Sequence, residues 1–232
     1  MWDRLRALFG GKAAPAAADF PADIATNRHF VVELVRRFRH RRVAEVGVWK
    51  GHLSRMLLAE CDIEHLLLVD PLQHVRNLFV PRTRGAHPSM MAPGVYNCTM
   101  GEPTLSQAEL DELHARLVAE LERDHPGKTT FLRLPSLEAA PRVADRSLDL
   151  VFIDAIHLYE DVLADVAAWL PKLKDTGTLA GDDYSPAFRG VIDAVNELFP
   201  AGARHVHEKT GVWYVHRRDL PRRRAGRAPG AA

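Results

Sequence analysis

The chain has 232 residues, of which 47% are hydrophobic, and 31 basic side chains against 30 acidic ones give a net charge of +1. That length and apolar content fit one α/β domain with modest extensions, and the near-neutral charge gives no electrostatic ground for a nucleic-acid partner. No apolar run approaches the ~18 residues of a membrane span, and Asp3, Arg4 and Arg6 interrupt any signal-peptide core. The two cysteines, Cys61 and Cys98, form neither a C-x-x-C nor a disulfide framework, so the expectation is a cytoplasmic protein with reduced thiols and no membrane partner.

In chain order, Trp2, Leu5, Leu8 and Phe9 recur at helical spacing and Gly10–Ala18 reads as a linker. Residues 1–22 are thus expected to be a short helix and tether, docking on the body or on a second copy of the chain in a homo-oligomer. A methodical pattern follows over 23–216. Ile24, Phe30, Val31, Leu34 and Val35 mark a helix over 23–39, with Asn27 in or near its start. A strand is expected at 42–46, and a helix from about Lys50–His52 to Glu60. The runs 65–70 and 148–154 are apolar and closed by carboxylates, as parallel strands covered on both faces are. A weaker strand is expected at 131–134 and a fifth strand at 178–183, the latter after a helix stop at Asp175-Thr176-Gly177. Residues 212–215 read as a last strand, paired with 204–207 as a hairpin. Strands alternating with helices predict a doubly wound, mostly parallel sheet.

The segment 72–128 is long for a crossover. Its first part, 72–104, is rich in Pro, Gly and Met and lacks periodicity, which predicts a lid over the substrate. Its second part is a helix: Ser106 and Glu109 form a capping box, and Leu110, Leu113, Leu117, Val118 and Leu121 make an apolar stripe. Residues 217–232 are basic and rich in Pro, Gly and Ala, which predicts a disordered tail.

In an open α/β sheet, ligands bind at the carboxyl ends of the strands, and the notable polar residues all fall there. Glu45, Gly47 and Gly51 form a strand-ending turn in which glycine permits positive φ and close approach of backbone to a ligand. The acid beside it suits a ligand with a cationic or donating end. Asp70 can accept the ribose hydroxyl hydrogens of an adenosine. Asp154, Asp182 and Asp183 converge if their strands are neighbours, and carboxylates so placed repel unless a dication such as Mg²⁺ or Mn²⁺ joins them. Such an ion can hold a substrate hydroxyl and lower its pKa. His157, three residues past Asp154, can take the proton of that hydroxyl or contact the cofactor. Glu160, Asp161 and Asp165 read as favourable helix-start charges.

With these residues in place, the chain resembles the class I S-adenosylmethionine-dependent methyltransferases that act on small molecules, the sugar- and macrolide-type O-methyltransferases. The motifs are Val43-Ala-Glu-Val-Gly-Val-Trp-Lys-Gly51, Phe152-Ile-Asp-Ala-Ile-His-Leu-Tyr-Glu160, then Asp165, Trp169, Pro171, Leu173, Gly177 and Gly181-Asp-Asp-Tyr184. The resemblance implies a Rossmann-like sheet of seven strands with an antiparallel last strand, S-adenosylmethionine as methyl donor and a small-molecule hydroxyl as acceptor. It implies that Glu45, Gly47, Gly51, Asp70 and Asp154 hold the cofactor, that Ser136 lies beside its adenine, and that Asp154, Asp182 and Asp183 hold Mg²⁺ or Mn²⁺. Some relatives carry a carboxylate where this chain has Ile156, which favours His157 as the base. Three rivals stay open. An NAD-dependent oxidoreductase shares the sheet logic but wants a third glycine. A metal-dependent phosphohydrolase leaves the first turn idle. A binding protein on the same scaffold has no need for intact carboxylates.

Overall fold

The computed structural model describes residues 20, 21, 23–73 and 105–220. The expected N-terminal helix, most of the expected lid and the end of the tail lie outside these residues. Seven strands form one sheet in the order β3-β2-β1-β4-β5-β7-β6. They are β1 Arg42–Val46, β2 His65–Val69, β3 Thr129–Leu132, β4 Leu148–Ile153, β5 Leu173–Gly181, β6 Arg204–His207 and β7 Val212–His216. The pairs β3-β2, β2-β1, β1-β4 and β4-β5 are parallel; β7 runs antiparallel to both β5 and β6. This is the mostly parallel α/β sheet with an antiparallel last strand that the sequence led us to expect. The strand order reverses between β1 and β4, which opens a crevice at their carboxyl ends.

Alternation along each strand feeds two layers. Leu66, Leu68, Leu150 and Phe152 pack on one face against helices α1 Asn27–Phe38, α2 His52–Glu60 and α3 Gln107–Asp124. Leu67, Val69, Val151 and Ile153 pack on the other against α5 Tyr159–Trp169 and α6 Arg189–Leu198, with the short α4 Ser136–Ala139 at the side. Strands β1, β2 and β4 are buried on both faces, the physical reason for their continuous apolar runs.

Several boundaries differ from expectation. The third strand occupies Thr129–Leu132, two residues earlier than 131–134, because Thr129 and Thr130 pair in register with Leu66 and Leu67. The fifth strand begins at Leu173 rather than 178. Its partners jump from Leu173 opposite Leu148 to Thr178 opposite Leu150, so Asp175-Thr176-Gly177 is accommodated at an irregularity inside the strand rather than ending a helix. The preceding helix gives way to a 3₁₀ turn at Leu170–Lys172, where Pro171 cannot continue the ladder. The body also runs four residues past the expected boundary at 216: Arg217–Asp219 make a 3₁₀ turn and Leu220 is buried. Cys61 is a half-buried thiol that burial pushes up to about 11. Among the described residues no helix is long and apolar enough to cross a membrane.

The stems of the long insertion meet. The Leu72 carbonyl accepts from Arg133 Nη2 at 2.9 Å and from Gln107 Nε2 at 3.2 Å, while Arg133 Nε reaches the Pro71 carbonyl at 3.2 Å. Arg133 also pairs with Asp111, one turn into α3. Leu72 sits in a small apolar cluster with Leu110 and Leu113, against Trp49 and Leu105.

Candidate active site

The turn after β1 lies at the switch in strand order. Gly47 has φ +94, and a Cβ there would stand 1.8 Å from the Asp154 carbonyl oxygen. The close approach that demands glycine is therefore to the backbone leaving β4, rather than to a ligand alone. Gly51 has φ +70 and starts α2, where a Cβ would stand 2.6 Å from Leu117 Cδ1. Between them Trp49 is held at φ +49. Asp70 fixes this turn. Its Oδ2 accepts from the backbone N–H of Val48 and of Trp49, each at 2.9 Å, and its Oδ1 accepts from Leu72 N at 2.8 Å. The residue expected to meet a ribose thus also organises the backbone that would meet the rest of the ligand.

Glu45 is buried on the α2 side, where Ser54 Oγ donates to its Oε2 at 2.6 Å. Burial pushes it up to about 8; the Ser54 hydrogen bond opposes this, and the nearby Asp154 and Asp70 add to it. The carboxylates at the ends of β1, β2 and β4 therefore feel one another, as residues sharing one crevice must.

Asp154, His157 and Asp183 come together. One ligand atom from each lies within 4.8 Å of the others. His157 Nδ1 is 3.2 Å from Asp183 Oδ2, and Nε2 is 3.3 Å from Asp154 Oδ1, an ion-pair contact too poorly aligned to satisfy the Nε2 hydrogen bond. Burial would push the imidazole down, yet Asp154, Asp183 and Asp182 together raise it above its ordinary value. The ring edge also meets Phe188, with centroids 4.9 Å apart. Asp183 is held at φ +59, the left-handed conformation that short polar side chains tolerate.

Asp182 lies beside this group rather than within it. Its carboxylate accepts from the Asn27 side-chain amide at the start of α1, and burial, then Asp154 and Asp183, push it up to about 7. The donor set that converges, two carboxylates and an imidazole, fits a dication such as Mn²⁺ or Mg²⁺ through Asp154 and Asp183. A groove of about 520 Å³ between α2 and α3, lined among others by Lys50, Leu105, Leu113 and Arg116, shares no lining residue with this cluster.

Ser136 opens α4, beyond the carboxyl end of β3. Its Oγ donates to Asp165 Oδ1 and accepts from Trp169 Nε1 at 2.8 Å. Asp165 is no helix-start charge. It is the seventh residue of α5 and faces inward, 5% exposed, where burial pushes it up to about 7. The signal was present in the sequence: Asp165 lies three residues after Val162 and four before Trp169, both on the apolar stripe. Asn27 as the partner of Asp182 had no such signal.

Comparison with known proteins bears on this geometry. The methyltransferase-domain family matches residues 44–184 of the chain. Curated protein sequences give no match. Among solved structures, a provisionally assigned caffeoyl-CoA O-methyltransferase from Staphylococcus aureus superimposes with a TM-score of 0.54 at 14% identity, covering 88% of this chain and 85% of that one. A cofactor-bound protein from MTB, Rv0187, gives 0.54 at 15% identity, covering 87% and 84%. A calicheamicin methyltransferase gives 0.54 at 16% identity, covering 81% and 77%. At such identities the likeness is one of fold.

Proposed function

The chain belongs to the methyltransferase-domain family and is an S-adenosylmethionine-dependent methyltransferase, and from that premise we propose that it methylates a hydroxyl oxygen of a small molecule with help from a divalent cation. The observation that carries the reading is the meeting of Asp154, His157 and Asp183 at the crevice where the strand order reverses, beside the Gly47 turn. Neighbours of the same fold named for small-molecule methylation agree with that acceptor class.

S-adenosylmethionine supplies a methyl group already activated on a sulfonium, so the protein's tasks are alignment and proton removal. The Gly47–Gly51 turn and Glu45 take the amino-acid end of the cofactor, Asp70 the ribose and Ser136 the adenine. Asp154 and Asp183 would hold a divalent cation, which would supply Lewis acidity to lower the pKa of the acceptor hydroxyl. His157 takes the hydroxyl proton. Asp183 at Nδ1 orients the ring, the unsatisfied Nε2 is the nitrogen that receives the proton, and Asp154, 3.3 Å from Nε2, stabilises the imidazolium that results. Asn27 keeps Asp182 in place beside them.

Titration calorimetry with S-adenosylhomocysteine, followed by transfer of labelled methyl to a panel of hydroxyl compounds with Mg²⁺, Mn²⁺ or chelator, tests each part. Asp154→Asn and Asp183→Asn should each lower cation-supported turnover by about 10²-fold or more, and Asp183→Asn should do so with cofactor affinity largely unchanged. Binding of NADH in place of S-adenosylhomocysteine would end the cofactor reading, and turnover indifferent to chelator would remove the cation.

A further inference from the structure

Asp182 and Asp183 are neighbours in sequence with different surroundings. The side chains of Asp154 and Asp183 are 37% and 29% exposed and both reach His157, whereas Asp182 is 6% exposed and contributes no atom to that group. The Asp182 carboxylate is engaged inside the fold instead. Its Oδ2 accepts from the Asn27 side-chain amide, and the backbone N–H of Asp183 donates to the same carboxylate. Asn27 is itself oriented. Its Oδ1 accepts from Arg28 N at 2.8 Å, so the amino end of the amide is the end that faces Asp182.

Asp183 stands at φ +59, and a residue other than glycine persists there only where its surroundings over-determine it. Beyond Asp183 the turn is secured by Ser185 N on the Asp183 carbonyl at 2.7 Å and by Tyr184 N on the Gly211 carbonyl at 2.8 Å. On its amino side the Asp182 carboxylate supplies the hold.

We propose that Asp182 is a strut rather than a cation ligand: Asn27 steadies its carboxylate against the Asp183 N–H, and both are positioning residues that fix Asp183 for the dication and for His157 Nδ1. This rests on the reading above that Asp154 and Asp183 hold a cation. A neutral amide suits the task. It satisfies a carboxylate lone pair without bringing a positive charge that would compete with the dication for the acidic cluster. Because Asn27 is the first residue of α1, the docking of that helix becomes part of the geometry of the cation site. Partners that orient a ligating side chain typically change metal affinity by about 10- to 100-fold.

The test is a Mn²⁺ titration of the full chain, with free ion counted by electron paramagnetic resonance, so that no turnover is needed. Asn27→Ala should weaken Mn²⁺ binding by about tenfold or more. Asn27→Leu, which keeps bulk and drops the donor, carries the same expectation should the alanine variant fail to fold. Thr26→Ala removes the N-cap of the same helix, where Thr26 Oγ1 accepts from His29 N at 3.4 Å. It should lower the urea midpoint and leave Mn²⁺ affinity within about twofold; an equal loss there would reduce the effect to helix stability and overturn the proposal. Asp182→Asn should cost about as much as Asn27→Ala and clearly less than Asp183→Asn. A loss in Asp182→Asn equal to that in Asp183→Asn would make Asp182 a ligand and overturn the strut, as would native affinity in Asn27→Ala. A native protein that binds no Mn²⁺ overturns the cation reading itself, so the two failures are told apart.

Discussion

Gly47 shows how one side chain's absence sets the geometry of a site. Its φ of +94 and the 1.8 Å separation between a hypothetical Cβ and the Asp154 carbonyl leave room for no other residue. Gly47→Ala should therefore cost about 3 kcal/mol of stability, from overpacking plus left-handed strain, and weaken S-adenosylhomocysteine binding; urea melts and calorimetry read the two effects separately. At this scale the sequence was informative wherever a carboxylate closed an apolar run. Asp70 and Asp154 do stand just past the ends of β2 and β4, while Glu45 lies one residue short of the end of β1, still in register with Leu68 and Phe152, and is buried with Ser54 as its partner. The sequence was uninformative where partners are distant in sequence. Asn27 and Asp182 are 155 positions apart, and only the docking of α1 on the folded sheet joins them. Asp165 was misread because acids near helix starts are common, although its place on the apolar stripe argued for burial.

Among elements, the helices were more legible than the strands. Ser106 and Glu109 form the capping box that their spacing announced: Glu109 Oε2 accepts from Ser106 N at 2.7 Å and Ser106 Oγ accepts from Glu109 N at 3.4 Å. Ser106→Ala should cost about 1 kcal/mol, seen as a lower midpoint in urea at unchanged slope. Asp175-Thr176-Gly177, by contrast, has the composition of a turn and lies inside β5. Turn residues there signal an irregularity in pairing with β4, and composition alone does not distinguish the two. The third strand was displaced by two residues because short strands carry too few side chains to fix their own register; the Leu66–Thr129 pairing fixes it instead.

For the whole molecule, the alternation of strands and helices dictated the layered architecture, while the buried histidines set its response to acid. Thr178 Oγ1 lies 3.0 Å from His40 Nε2 and 2.9 Å from His216 Nδ1, and burial is the chief cause that lowers both imidazoles to about 4. The unfolded chain takes up these protons near pH 6.5 and the folded chain only near 4. The stabilisation is complete above pH 6.5 and is lost as pH falls from 6.5 to 4, by up to about 3 kcal/mol for each imidazole. Glu45, Asp165 and Asp182, raised to about 8, 7 and 7, act in the opposite sense, favouring the fold at low pH and losing that contribution as pH rises through neutrality. Comparison with a His40→Gln, His216→Gln variant isolates the histidine part: the difference in melting temperature between native and variant should grow from pH 4.5 to pH 6.5, and a constant difference would rule it out. The grip of Arg133 and Gln107 on the Leu72 carbonyl bears on descent. Since departure and return of the chain are knotted at one point on the sheet's rim, the stretch between them behaves as a cassette. Each doubling of its length costs only about 0.6 kcal/mol of closure entropy, so a lineage can lengthen or exchange that stretch without disturbing the strands on either side of it.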